Sequence, residues 1–210
     1  MKYYAVKKGR KIGIFLTWDT CKKSIHKFKN AEYKSFSTLD EAEKYLKNKN
    51  PTNNEIKDEK NTIFVYTDGA TSFNGKQNAK AGIGVYFGEN DKRNLSKRLY
   101  SKEKITNNIA EIKAIISAYN SLKKEINKGA KVTIVSDSNY AIRAATIYGS
   151  KCELNDFKGI PNGELVKKIY KLFKNKDNVT FLHINSHTGR MDGHYLGNYY
   201  ADLLATKAIK

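Results

Sequence analysis

The chain is poor in cysteine and in acidic residues, and it has no long apolar run. Cys21 and Cys152 are the only thiols among 210 residues, and they lie too far apart to fit a zinc or redox motif. That excludes a disulfide scaffold and leads us to expect reduced, space-filling cysteines in a cytoplasmic protein. No stretch approaches the roughly 20 apolar residues of a membrane span, and no basic amphipathic helix stands out, so no membrane partner is expected. The opening residues, MKYYAVKKGRKIGIF, already read as strand and leave no room for a signal or transit peptide. No internal repeat is visible. Acids number 21 against 39 lysines and arginines, a net charge of +18. A surplus of that size repels itself in the folded state, which implies a polyanionic partner. It is dense at the start of the chain, where residues 1–50 hold 13 basic and 5 acidic side chains.

The pattern divides the chain in two. KYYAVK (2–7) and IGIFL (12–16) read as strands joined at Gly9, with YKSF as a third strand. Asp19 can cap a helix running to about Phe28, and Asp40 can start another through EAEKYLKN. This makes a small α+β unit over residues 1–48, with the single tryptophan, Trp18, at a strand–helix junction. Residues 49–61, KNPTNNEIKDEKN, are polar and charged and read as a linker. From residue 62 to 210 the order changes. Strands are expected at 62–68, 81–88 and 95–101, then a helix at 106–122, a strand at 131–137 and a helix at 138–146. An irregular stretch follows, then a helix at 163–173, a strand at 179–185 and a last helix ending at 201–209. Three strands followed by alternating helices and strands imply an α/β domain, a five-stranded mixed sheet flanked by helices.

Two strands of this domain are built alike. IFVYTD and KVTIVSD each run an apolar, β-branched segment into a hydroxyl residue and then an aspartate, Asp68 and Asp137. Parallel strands leaving one sheet edge would set these acids side by side. Glu111 sits on the intervening helix among Ile109, Ala110, Ile112 and Ala114, and Asp202 lies at the expected start of the last helix. Each acid alone has a local explanation, as a turn former or a helix N-terminal charge. Together they would repel one another and raise each other's pKa unless a cation joined them. Hard divalent ions such as Mg²⁺ take carboxylate oxygens, and a pair of them stabilises both oxygens of an in-line phosphoryl displacement.

The motifs YTDGA, TNNIAE, SDSNY, SHTG and GNYYAD, in this order over residues 62–209, resemble type 1 ribonuclease H. The resemblance implies cleavage of the RNA strand of RNA–DNA hybrids with two Mg²⁺ ions (Mn²⁺ being a substitute), giving 5′-phosphate and 3′-hydroxyl ends. It implies that Asp68 bridges the two ions, that Asp202 joins it on the ion activating water, and that Glu111 and Asp137 hold the other. His187 is similar to the family's loop histidine, with His194 as an alternative in a loop longer than in many relatives. Asn74, Asn107, Asn108, Asn139 and Asn198 match positions that contact substrate. Lys104, Thr106 and Asn162 resemble a pocket for a phosphate of the DNA strand.

The first 48 residues are similar to the hybrid-binding domain that precedes many eukaryotic ribonucleases H1 and to a module of plant viral inclusion proteins. Tyr4, Trp18, Tyr33 and Lys34 fall on its contact positions; Tyr4 and Trp18 could equally be core residues of so small a unit. The partner implied is an RNA–DNA hybrid, bound by a monomer. Two other readings stay open on sequence alone. One is a non-catalytic hybrid-binding protein, and the other is a resolvase- or integrase-like nuclease on the same fold.

Overall fold

The computed structural model describes residues 2–47, 61–76, 78–101, 104–185 and 193–210. It divides into two compact units, one of residues 1–60 with 185–196 and one of residues 61–184 with 197–210. The expected linker lies almost wholly outside the described residues. No described helix is long and apolar enough to cross a membrane.

In the first unit, β1 (Tyr3–Lys8) is the centre of an antiparallel sheet between β2 (Gly13–Phe15) and β3 (Glu32–Phe36). Successive residues Ala5 and Val6 of β1 are both fully buried, so both faces of this strand are covered. Val6 packs with Phe15 and with Cys21 and Ile25 of α1 (Trp18–Ile25). Ala5 packs with Ile14 and with Ala42 of α2 (Leu39–Lys47). The helix starts differ from expectation by one or two residues. Thr17, not Asp19, caps α1, its hydroxyl accepting from the Thr20 N–H at 3.3 Å. Asp19 falls inside the first turn, where the helix dipole favours it. The helix ends at Ile25 because Lys27 turns left-handed, at φ 52°. Thr38 and Glu41 form a reciprocal capping box at the start of α2, in place of the expected Asp40.

The second unit has a five-stranded sheet in the order β6-β5-β4-β7-β8. Its strands are β4 (Thr62–Ser72), β5 (Lys80–Tyr86), β6 (Leu95–Leu99), β7 (Lys131–Ser136) and β8 (Val179–His183). β4, β5 and β6 pair antiparallel, while β7 and β8 run parallel to β4. The helices are α3 (Asn107–Asn127), α4 (Asn139–Ala145), α5 (Ile147–Glu153), α6 (Gly163–Phe173) and α7 (His194–Lys207). The main core joins Val65, Val85 and Ile134 of the sheet to Ile112, Ile115 and Leu122 of α3 and to Val166 and Ile169 of α6.

Three expectations need correction here. β4 does not stop at Asp68, because its ladder to β5 continues to the Ser72–Lys80 pair. The stretch after residue 146 is not irregular throughout, because α5 occupies Ile147–Glu153. The last helix starts at His194, so Asp202 sits in its third turn rather than at its start.

Candidate active site

The chain order reverses between β4 and β7: from β4 it first winds outward through β5 and β6, then crosses to β7 and β8. Crevices beyond the carboxyl ends of strands at such a point are where open α/β sheets bind ligands. The β4–β7 ladder ends at the Thr67–Ser136 pair, and Asp68 and Asp137 are the next residue on each strand. The Asp137 main-chain carbonyl accepts from His183 Nε2 at 3.1 Å, which ties this turn to β8.

Two glycines let helices bring the other acids in. At Gly69 a Cβ would lie 2.5 Å from the Glu111 nitrogen and 2.7 Å from the Ala110 carbonyl carbon, so only hydrogen there lets α3 approach β4 so closely. Gly84 is the register partner of Asp68, and a Cβ on it would collide with the Ala201 carbonyl and lie 2.7 Å from the Ala205 nitrogen. α7 therefore lies against the sheet at the level of Asp68 and carries Asp202 beside it. Sequence reasoning missed both seats, although the alternating glycines of AGIGVY were a visible signal of close backbone approach.

One carboxylate oxygen each of Asp68, Glu111 and Asp137 lies within 4.8 Å of the others. Asp68 is 6 % exposed and Glu111 5 %. Burial, then the charges of Asp137 and Asp202, push the Asp68 carboxyl up to about 8. Burial, then Asp68 and Asp137, hold Glu111 well above the usual carboxylate range. Asp202 lies within hydrogen-bonding reach of Asp68, and it accepts from the Thr206 hydroxyl at 3.2 Å. The donors are all carboxylate oxygens, which suits a hard divalent cation. Glu111 Oε2 is buried with no hydrogen-bond partner among the described residues. The residues present thus fit a metal ion better than they fit one another.

Around the acids, Asn107 donates from Nδ2 to Glu111 Oε1 at 3.3 Å and accepts from the Thr71 hydroxyl at 3.4 Å. Its main-chain N–H donates to Asn74 Oδ1 at 3.0 Å. Thr106 caps α3, and Lys104 and Asn108 on either side are exposed. Asn139 is exposed at the first position of α4, two residues past Asp137. Asn162 caps α6 from a left-handed backbone, φ 57°, and its Nδ2 donates to the Tyr140 hydroxyl at 3.3 Å. Asn198 is 6 % exposed, one helical turn before Asp202, and its Oδ1 has no partner among the described residues. His187 lies outside the described residues; His194 is the first residue of α7.

In the first unit, Trp18 lies between Tyr4 and Tyr33, with ring centroids 5.7 and 5.9 Å away. Trp18 is 42 % exposed and Tyr33 46 %, so they form a surface patch, while Tyr4 also packs on the core under α1. Lys34 points to the other side of β3, where its ammonium lies 5.6 Å from the Phe36 ring centroid.

Comparison with known proteins agrees with this geometry. Residues 59–210 match the family model described as RNase H, and residues 2–46 match that of the ribonuclease H1 N-terminal domain. Human ribonuclease H1 is 27 % identical over 99 % of this chain and 89 % of its own length. A ribonuclease H of Schizosaccharomyces pombe is 29 % identical over 98 % and 96 %. A ribonuclease H of Francisella tularensis subsp. novicida is 32 % identical over 74 % of this chain and 95 % of its own. Among solved structures, the PFV RNase H domain aligns with a TM-score of 0.52 at 25 % identity, over 70 % of this chain and 93 % of that one. The chain belongs to the ribonuclease H family of nucleases, with a ribonuclease H1 N-terminal domain ahead of its nuclease domain.

Proposed function

We propose that the protein hydrolyses the RNA strand of RNA–DNA hybrids, leaving 5′-phosphate and 3′-hydroxyl ends. The observation that carries this reading is the convergence of four acids at one strand switch, two of them with strongly raised proton affinity. Asp68, central in the group, would contact both of two Mg²⁺ ions, or Mn²⁺ in their place; Asp202 would complete one ligand set, and Glu111 with Asp137 the other. The bound ions would stabilise the attacking and leaving oxygens of an in-line displacement. Asn107 orients Glu111, and Asn74 fixes the start of the helix that carries it. With Asn108 and Asn139 they present amide groups that both donate to and accept from a 2′-hydroxyl in the shallow minor groove of the hybrid. Lys104, Thr106 and Asn162 would receive a DNA-strand phosphate, and His187 would assist the cut; Asn198, 6 % exposed with its Oδ1 unpartnered among the described residues, is too buried for the substrate contact expected of it. Tyr4, Trp18 and Tyr33 would pack against sugars of the duplex while basic side chains near them hold phosphates; Lys34, on the opposite face of β3 beside Phe36, is not part of that patch. The enzyme would act as a monomer in the cytoplasm.

The deciding experiment is cleavage of end-labelled hybrid, double-stranded RNA and double-stranded DNA, with and without Mg²⁺. Magnesium-dependent cutting of the RNA strand of the hybrid alone supports the proposal. Cutting of double-stranded DNA favours a resolvase-like chemistry. Binding without cutting leaves a hybrid-binding protein.

A further inference from the structure

A second cleft lies at the open end of the β5–β6 hairpin, beside Lys104 and Thr106, the chain neighbours of its residue Ile105. It holds about 470 Å³ and is lined by Lys80, Arg98, Leu99, Tyr100 and Ile105, with Ala79 and Ser101 at its rim. Ile105 is buried in a small cluster with Ala81 and Leu99, which makes it the floor. The cleft carries two cationic side chains and no carboxylate among its described lining. Neither Lys80 nor Arg98 has an acidic partner among the described residues. Tyr100 is 83 % exposed, and the Arg98 guanidinium sits 5.7 Å from its ring centroid. An aromatic ring this open gains nothing from the core. A ring backed by guanidinium beside a basic groove is the combination that binds unpaired nucleotides, the ring taking a base and the cations its phosphates.

The cleft is placed to reach such a nucleotide. Ile105 precedes the first turn of α3, and its carbonyl accepts from the Gly75 N–H at 3.2 Å, joining the cleft to the loop that presents Asn74. Ile105 lies two residues before α3, and from Asn107 to Glu111 the helix rises about 6 Å. Lys80 pairs with Ser72, four residues along β4 from Asp68, or about 13 Å. A strand leaving the cutting site meets the cleft within a few nucleotides.

We infer that this cleft binds a single-stranded extension next to the hybrid, with a base stacked on Tyr100 and its phosphates on Lys80 and Arg98. The inference rests on the hybrid-cleaving reading above. The test uses the full-length protein and three substrates sharing one hybrid core: blunt, with a four-nucleotide 5′ DNA extension, and with a 3′ DNA extension. Binding is read by fluorescence anisotropy without divalent ions, and cleavage by KM and kcat with Mg²⁺. One extension should tighten binding and lower KM about fivefold or more, as a base stacked on an aromatic ring does. Tyr100→Ala should erase that gain and leave the blunt substrate unchanged. Lys80→Ala with Arg98→Ala should reduce the gain and its salt dependence. If neither extension helps the wild type, or Tyr100→Ala keeps the benefit, the inference fails. Equal weakening of blunt and extended substrates by the double variant also overturns it, since the cations would then touch the duplex. Failure of the hybrid-cleaving reading is distinguishable, because the blunt hybrid would then go uncut.

Discussion

Replacing Asp68 by Asn should inactivate the enzyme and, without metal, make it more stable. The substitution keeps the shape and removes the ionisation. In the folded protein the Asp68 carboxyl titrates at about 8, raised by burial and by Asp137 and Asp202, against about 4 in an unfolded chain. A carboxyl whose folded value is the higher one favours folding only while protonated. Its contribution is full below about pH 4 and is lost as pH rises towards 8. At pH 7 the unfolded chain has released this proton and the fold has not. Three units at roughly 1.4 kcal/mol each set an upper bound of about 4 kcal/mol against folding. Glu111 titrates with Asp68, so a net gain of about 2–3 kcal/mol for Asp68→Asn is the working expectation. In a domain of this size that raises Tm by roughly 4–12 °C. Thermal unfolding in EDTA at pH 4 and pH 8 measures it: the variant should gain at pH 8 and little at pH 4. Added Mg²⁺ should stabilise the wild type through binding to the native state and the variant far less. A variant no more stable than the wild type at pH 8 in EDTA, or one that still cuts hybrid at the wild-type rate, would refute the reasoning.

Gly84→Val should drive α7 off the sheet; a loss of about 1–3 kcal/mol or more by chemical denaturation is expected, with cleavage falling further than stability because Asp202 moves with the helix. Trp18→Ala removes a half-exposed ring, so unfolding should shift by less than about 1 kcal/mol while hybrid affinity drops about fivefold or more in a gel-shift titration. Asn107→Ala takes away the donor that orients Glu111 and should lower kcat about tenfold to a hundredfold, measured under saturating hybrid.

The elements most legible in the sequence were those whose local rule and tertiary setting agree. IFVYTD and KVTIVSD are apolar because strands at the centre of a helix-covered sheet must be, and their final acids do meet. Asp68 still misled as a strand end: TDG reads locally as a turn, yet pairing with β5 carries the strand four residues further. Asp202 misled in the opposite way. An acid near the chain end suggested a helix start, whereas α7 begins two turns earlier at His194. The seating of the helices was hidden altogether. Gly69 and Gly84 act through main chain that is distant in sequence, and no local propensity encodes which helix will press on them. The opposite faces of Tyr33 and Lys34 were readable from strand alternation alone.

The site also resolves an apparent conflict of sign. A chain carrying +18 attracts a polyanion at long range, yet the residues that would cut it are four acids, which repel phosphate at short range. The two effects act on different steps. On the proposed reading, the basic surface and the Tyr4–Trp18–Tyr33 patch would hold a duplex without any metal. A scissile phosphate enters the acid cluster only when the carboxylate charge is neutralised. Without metal, protonation neutralises Asp68 up to about pH 8 and holds Glu111 neutral well above the usual carboxylate range, but a protonated carboxyl has given up the charge that would hold a metal ion. Divalent cations neutralise the same acids and leave their oxygens in place as ligands. On that reading, binding and cutting should be separable by chelation. The separation arises because the attracting and repelling charges sit on different structural features, one spread over the surface and one buried at the strand switch.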